Sequence, residues 1–229
     1  MGINLKNIQL IIFDCDGVLV DSEIIANRVF AEEMTKCGYA MDMEQAMTQY
    51  LGKSLKGILE TLQNSFGHAA CQLLPPIHAK MSEALADELQ PIEGVIHLLQ
   101  LLDQQAIPRC VASNNTAEKI SHSLQITGLS PQFPITNIFC AGDVKNGKPH
   151  PDLFLHAAQK MQVDPSACLV IEDSVAGIQA AHAAKMQVIG FFGGKHTKYN
   201  WYRQRILEAN PHYVCETHAE IAHHLAFSE

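Results

Sequence analysis

Two aspartates one residue apart, Asp14 and Asp16, follow directly on the apolar run Leu10-Ile11-Ile12-Phe13. Other polar groups follow apolar runs in the same way. Ser113-Asn114 comes after Cys110-Val111-Ala112, and Glu172-Asp173 comes after Cys168-Leu169-Val170-Ile171. Lys148 stands in the stretch NGKPHPD, bounded by Gly147 and Pro149. Acids, a lysine, a serine and an asparagine together suit phosphoryl transfer. A phosphate is anionic, so a carboxylate attacks it only where cations offset the charge. Lys148 is one candidate cation. Mg²⁺ is the other, since it binds through a few carboxylates together with waters and phosphate oxygens. An aspartate can act as a covalent nucleophile. A second carboxylate nearby can protonate the leaving alkoxide and then activate water.

These groups act together only if the fold gathers them. Short apolar runs over Leu10–Asp14, Arg109–Ser113, Ile138–Ala141, Cys168–Glu172 and Val188–Phe192 read as strands, with Tyr213–Cys215 as a sixth. Most are continuously apolar rather than alternating, as strands covered on both faces are. Helical spacing over Glu93–Gln104, Thr116–Ile126, Pro151–Met161 and Ser174–Ala184 separates them. This alternation predicts an α/β fold with a doubly wound parallel sheet, a Rossmann-like core. In such a sheet ligands bind beyond the carboxyl ends of the strands, where Asp14, Ser113 and Glu172-Asp173 fall.

About 95 residues separate the first strand from the second, far more than a crossover needs. Residues 23–88 read as helices at Glu23–Lys36, Met43–Tyr50, Leu55–Ser65 and Pro76–Ala86, punctuated by Gly38, Gly52, Gly67 and Pro75-Pro76. The expectation is an inserted all-helical cap at 20–89 between the two parts of the core, 1–19 and 90–229. Hinges at Gly17–Ser22 and Asp87–Glu93 would let the cap close and exclude bulk water. The segment 194–212, which holds the single Trp among basic and aromatic residues, is predicted to be a helix packed on the sheet.

Composition narrows the classes. Apolar residues make up 47% of 229, enough for a sizeable core. The net charge of −8, without a basic stripe, argues against a nucleic-acid partner. No run is long enough to span a membrane, and the first residues resemble neither a secretory signal nor a myristoylation site. The seven cysteines, at 15, 37, 71, 110, 140, 168 and 215, are scattered without a CxxC pair. They read as reduced thiols in a cytoplasmic protein, mostly small buried hydrophobes. The histidine-rich HAEIAHHL reads as an amphipathic terminal helix, because the ligand spacing of a transition-metal site is lacking. No coiled-coil heptad points to assembly, so a monomer or small homo-oligomer is expected.

The stretch FDCDGVLVDSE at 13–23 resembles the first motif of the haloacid dehalogenase-like hydrolases. Ser113-Asn114 resembles the second motif, Lys148-Pro149 with Pro151-Asp152 the third, and Ile171-Glu172-Asp173-Ser174 with Ala176-Gly177 the fourth. Order and spacing agree over nearly the whole chain. The helical insertion after the first motif is similar to that of the phosphoglycolate phosphatase and β-phosphoglucomutase group. The resemblance implies Asp14 as nucleophile and Mg²⁺ ligand, and Asp16 as general acid and base with its backbone carbonyl on the metal. It implies Ser113 and the Asn114 backbone N–H as phosphoryl binders and Lys148 as the neutralising cation. Asp173 becomes a Mg²⁺ ligand, with Glu172 as its partner on or beside the ion.

The activity implied is a Mg²⁺-dependent phosphatase acting on a small phosphorylated metabolite, expected to be a sugar phosphate. A phosphoglucomutase-like transfer between sugar hydroxyls is the alternative. Mutases of this group typically carry a His four residues beyond a Ser or Thr after the first motif, where Ser22 and Ala26 stand here. Dehalogenation is disfavoured because Asp16 is present. A non-catalytic phosphometabolite-binding protein is the reading from another class, set against a site with no element missing. In related proteins a cap loop dips toward the substrate, which makes Lys53 a candidate substrate contact, beside Ser54 and Lys56. Glu23 and Asn27 could face the same cleft. The bland readings are caps and turns: Asp14 and Asp16 as a turn, Ser113 to Thr116 and Glu172 to Ser174 as helix caps, Lys148 as an exposed lysine.

Overall fold

The structure is a computed structural model, described here for residues 8–52 and 55–225. Lys53 and Ser54 lie outside the described residues, as does the side chain of Lys56. The chain divides into two compact units, Met1–Asp21 with Gln90–Glu229, and Ser22–Leu89.

The first unit is built on a parallel sheet of six strands: β1 (Leu10–Phe13), β2 (Arg109–Ser113), β3 (Ile138–Cys140), β4 (Cys168–Glu172), β5 (Gln187–Phe191) and β6 (Tyr213–Cys215). Their order is β3-β2-β1-β4-β5-β6, so the direction of winding reverses between β1 and β4. In open α/β sheets ligands bind at such a reversal, beyond the carboxyl ends of the strands. Register is set by Phe13 opposite both Val111 and Ile171. Every residue of β1 and β4 is buried, which explains their unbroken apolar runs. Each such Leu, Ile or Phe contributes about 1.5–3 kcal/mol by leaving water.

Between the strands run α6 (Val95–Gln104), α7 (Ala117–Ile126), α8 (Asp152–Lys160), α9 (Val175–Ala183) and α10 (Asn200–Glu208), and α11 (His218–His224) follows the last strand. α8 packs on the first three strands and α9 on β4 and β5. Side-chain caps start several of them. Thr116 accepts from Lys119 N–H, Ser174 from Gly177 N–H and Thr217 from Glu220 N–H. Each satisfies a donor that the first helical turn leaves unpaired.

The segment 194–212 is more divided than its composition suggests. Lys195–Lys198 forms a 3₁₀ turn with His196 and Thr197 fully buried; α10 follows, and Asn210 closes it at φ 57°. Among the described residues no helix is long and apolar enough to cross a membrane.

The second unit is helical: α1 (Ser22–Lys36), α2 (Met43–Tyr50), α3 (Leu55–Phe66), α4 (His68–Cys71) and α5 (Leu74–Glu88). Its own core joins Phe30, Met34, Tyr50, Leu62, Leu74 and Ile77. Asp42 and Gln45 form a reciprocal capping box at the start of α2. The short α4 has no counterpart in the sequence pattern. α5 begins two residues before the expected Pro76, because prolines in a first turn give up only N–H groups that need no partner. Glu23 and Asn27 are bonded to each other, Asn27 Nδ2 lying 2.8 Å from the Glu23 carbonyl oxygen.

Candidate active site

Asp14 is the first residue past β1, and its N–H still donates to the Ile171 carbonyl at 3.0 Å, continuing the ladder to β4. The chain then turns sharply: Gly17 N–H donates to Val20, and Leu19 and Val20 N–H both donate to the Cys15 carbonyl. The Asp14 carboxylate is therefore held at the end of a central strand, at the point where the sheet reverses. Gly17 adopts φ +77°. A Cβ there would stand 1.8 Å from Oδ2 of Asp173, so the turn after β1 and the acid after β4 meet with no room for a side chain.

Lys148 reaches this point from the loop after β3. Its Nζ lies 2.6 Å from Asp14 Oδ1 and 2.5 Å from Glu172 Oε1, and 4.9 Å from the centre of the Phe154 ring. The bland reading of an exposed lysine fails, since Lys148 is only 8% exposed. Asn114 places it. The Asn114 side-chain oxygen accepts from Lys148 N–H at 2.9 Å, and its amide donates to the Lys148 carbonyl at 3.0 Å. The side chain of Asn114 thus clamps the lysine backbone from both sides, a role distinct from the backbone contact to phosphate that the resemblance implies for this residue.

Glu172 is fully buried and spends both oxygens: Oε1 on Lys148, Oε2 on the N–H and hydroxyl of Ser174. Gly177 of α9 leaves the space it fills, since a Cβ there would lie 1.9 Å from its carboxylate. Asp173 is turned the other way, with Oδ2 2.8 Å from His196 Nε2. Ser113 is buried and its hydroxyl oxygen accepts from Asn115 N–H at 3.2 Å. Asp16 is held by a residue to which the sequence assigned no role: Asn115 Nδ2 donates to Asp16 Oδ2 at 2.6 Å. Nothing in the spacing signals that contact, because Ser-Asn-Asn-Thr reads as a helix cap.

Burial dominates the electrostatics. It pushes the Asp14 carboxyl well above the usual carboxylate range; the Lys148 ammonium opposes this, while Glu172, Asp173 and Asp16 reinforce it. Asp173 is raised in the same direction, by burial first and by Glu172 next. Burial also opposes the charge on Lys148, but Asp14 and Glu172 outweigh it and hold the ammonium above its ordinary range. Cys15, between the two acids, is buried and its thiol is pushed up, so it packs rather than reacts.

Among the described residues Asp14, Glu172 and Asp173 are the group of acids able to hold a metal ion, their ligand atoms lying within 4.8 Å of one another. The histidines of α11 belong to no such group among the described residues. Three buried carboxylates facing one ammonium leave excess negative charge, and an all-oxygen donor set suits a hard divalent cation. The residues present therefore fit the ion that the sequence motifs imply. The Asp16 carboxylate is not in this group; it accepts from Asn115 and adds to the negative charge felt by Asp14 and Asp173. Lys53 lies outside the described residues.

Similarity to known proteins agrees with this arrangement. The chain is 32% identical over 196 residues to the 6-phosphogluconate phosphatase of Escherichia coli, covering 85% of this chain and 87% of that protein. It is 28% identical over 188 residues to hexitol phosphatase B of the same species, covering 80% and 83%. A haloacid dehalogenase-like protein from Agrobacterium tumefaciens superposes with a TM-score of 0.84 at 36% identity, over 96% of this chain and 98% of that one. A family hydrolase from Deinococcus radiodurans, solved with bound phosphate and sodium, gives 0.81 at 28% identity over 96% of both chains. Residues 11–191 match the model of the haloacid dehalogenase-like hydrolase family, a span running from β1 to the end of β5, and the chain belongs to that family.

Proposed function

We propose that this hydrolase is a Mg²⁺-dependent phosphatase acting on a small phosphorylated metabolite of the sugar-phosphate class, through an aspartyl-phosphate on Asp14. One observation carries the reading. Asp14 is buried at the end of β1 with Lys148 at 2.6 Å and with Glu172 and Asp173 in one acid cluster, the setting in which a carboxylate can meet a phosphoryl group. The names of the relatives support the substrate class: a phosphogluconate, a hexitol phosphate and, at 32% identity in Drosophila melanogaster, a probable pseudouridine-5'-phosphatase.

The residues divide the work as follows. Asp14, Asp173, the backbone carbonyl of Asp16 and Glu172 would hold the divalent ion, with Glu172 acting chiefly through Lys148, because both its oxygens already have partners. When bound, the ion offsets negative charge on the phosphoryl group and on Asp14. Asp14 attacks phosphorus through a carboxylate oxygen; the new P–O bond forms as the ester P–O bond breaks. Asp16 gives its proton to the departing alkoxide. Ser113 and the first N–H groups ahead of α7 take the phosphoryl oxygens, as helix starts favour anions. Lys148 offsets charge on Asp14 and on the transferred group throughout. Water then attacks the phosphorus of the aspartyl-phosphate, Asp16 takes its proton, and inorganic phosphate leaves with Asp14 restored.

The test is phosphate release from 6-phosphogluconate, hexitol phosphates, pseudouridine 5'-phosphate and an aryl phosphate, with Mg²⁺. Hydrolysis of at least one is expected. Asp14→Asn lowers it by roughly 10³-fold or more, as loss of a nucleophile does, and a chelator abolishes it. Activity that survives either treatment overturns the reading.

A further inference from the structure

The loop leaving β5 reads Phe192-Gly-Gly-Lys-His-Thr-Lys198, and two of its polar side chains are fully buried, His196 and Thr197. Thr197 explains how the loop is built. Its hydroxyl lies 2.6 Å from the carbonyls of Phe192 and of Gly194, and its N–H donates to Gly194 at 3.0 Å. This folds the 3₁₀ turn over itself with the preceding residue, His196, turned inward. His196 thereby places Nε2 2.8 Å from Asp173 Oδ2, with the imidazole and carboxylate 0% and 5% exposed. The ring is backed by Tyr202 of α10, edge to face, with centroids 5.0 Å apart. A Cβ on Gly17 would come within 2.7 Å of His196 Cε1 as well as on top of Asp173 Oδ2. Imidazole, carboxylate and the turn after β1 are therefore in mutual contact, and the imidazole has one place to be.

A carboxylate that ligates a cation is ionised and can only accept, so with the ion bound His196 Nε2 would supply the proton of this contact. A carboxylate with one oxygen held 2.8 Å from a fixed imidazole nitrogen cannot spin freely about its Cβ–Cγ bond, and its other oxygen is held in place. We propose that His196 is a positioning residue for the cation site: its 2.8 Å contact with Oδ2 fixes the rotation of Asp173 and leaves Oδ1 presented to a divalent ion. This rests on the reading of Asp14, Glu172 and Asp173 as the cation-binding group. Partners of metal ligands of this kind set affinity as well as orientation.

The test is calorimetric titration of the substrate-free protein with Mg²⁺ alone, for wild type, His196→Gln and His196→Phe, with circular dichroism to check folding. Gln can carry an amide N–H to the position of Nε2; Phe fills the ring's space without a donor. The expected result is a dissociation constant raised about 10–100-fold in His196→Phe and within about 3-fold of wild type in His196→Gln. The Mg²⁺ concentration giving half-maximal phosphate release rises in parallel, while kcat at saturating Mg²⁺ changes little. If His196→Phe does not fold, His196→Asn, whose amide ends short of Asp173, carries the same expectation. Wild-type affinity in the variant lacking the donor overturns the proposal, and so does equal loss in both His196→Gln and His196→Phe. Wild type that binds no Mg²⁺ at all overturns the reading beneath it, and that outcome is seen without any variant.

Discussion

Asn115 and Asp16, 99 residues apart in the chain, are joined by a 2.6 Å hydrogen bond from the Asn115 amide to Asp16 Oδ2. The bond ties the turn after β1 to the start of α7, and it orients the acid proposed to move both protons of the reaction. Asn115→Ala is expected to lower kcat by roughly 10-fold, a fraction of the 10²–10⁴-fold that general acid–base catalysis supplies. In an Asp16→Asn background the same change should have little further effect, because residues acting as one unit are not additive. Steady-state kinetics on the four proteins measures this; full additivity would separate Asn115 from Asp16.

Gly177 tests the fit around Glu172. Gly to Ala inside a helix ordinarily stabilises by about 1 kcal/mol. Here the new Cβ would stand 1.9 Å from the Glu172 carboxylate, which is held by Lys148 and Ser174. The sign should reverse, with Gly177→Ala destabilising by about 1–3 kcal/mol and lowering activity as the Lys148 contact shifts. Urea unfolding gives the sign directly.

Lys148→Met removes the buried ammonium and leaves Asp14 and Glu172 facing each other uncompensated. Loss of one partner of a buried pair costs about 3–5 kcal/mol. Since a divalent ion would supply part of the missing charge, the loss should shrink when Mg²⁺ is added. Thermal unfolding with and without Mg²⁺ measures the difference, while phosphate release stays absent in both.

His218 makes stability depend on pH through a buried imidazole. It is 1% exposed, its Nδ1 donates to the Glu93 carbonyl at 3.0 Å, and its ring lies against Phe191. Burial lowers its pKa to about 4, from 6.5 when unfolded; the backbone hydrogen bonds oppose the shift. Between those values the unfolded chain binds a proton that the folded chain refuses, so stability falls as pH falls from 6.5 toward 4. From pH 7 to pH 5 this one group accounts for a loss on the order of 2 kcal/mol. His218→Phe should flatten the acid limb of a denaturation-against-pH curve by about that amount.

The sequence alone determined the elements and the chemistry they carry. Continuous apolar runs mark strands covered on both faces, and β2 and β4 fall at the predicted residues because all but the first residue of β2 and every residue of β4 is buried; β6, an edge strand with Val214 exposed, also falls where its short run predicts. Polar residues at strand ends are equally legible, since a parallel sheet places its loops there. Only the tertiary structure decided which side chains hold those residues. Asn114 clamping Lys148, Asn115 holding Asp16 and His196 meeting Asp173 depend on strand register and on how loops far apart in the chain turn toward one another. Local periodicity carries no record of such pairings. For the same reason 194–212 reads as one helix in sequence yet folds as a tight turn and a shorter helix. Burying His196 beside Asp173 and closing the turn with Thr197 outweigh helical preference, and that balance exists only once β1, β4 and β5 lie side by side.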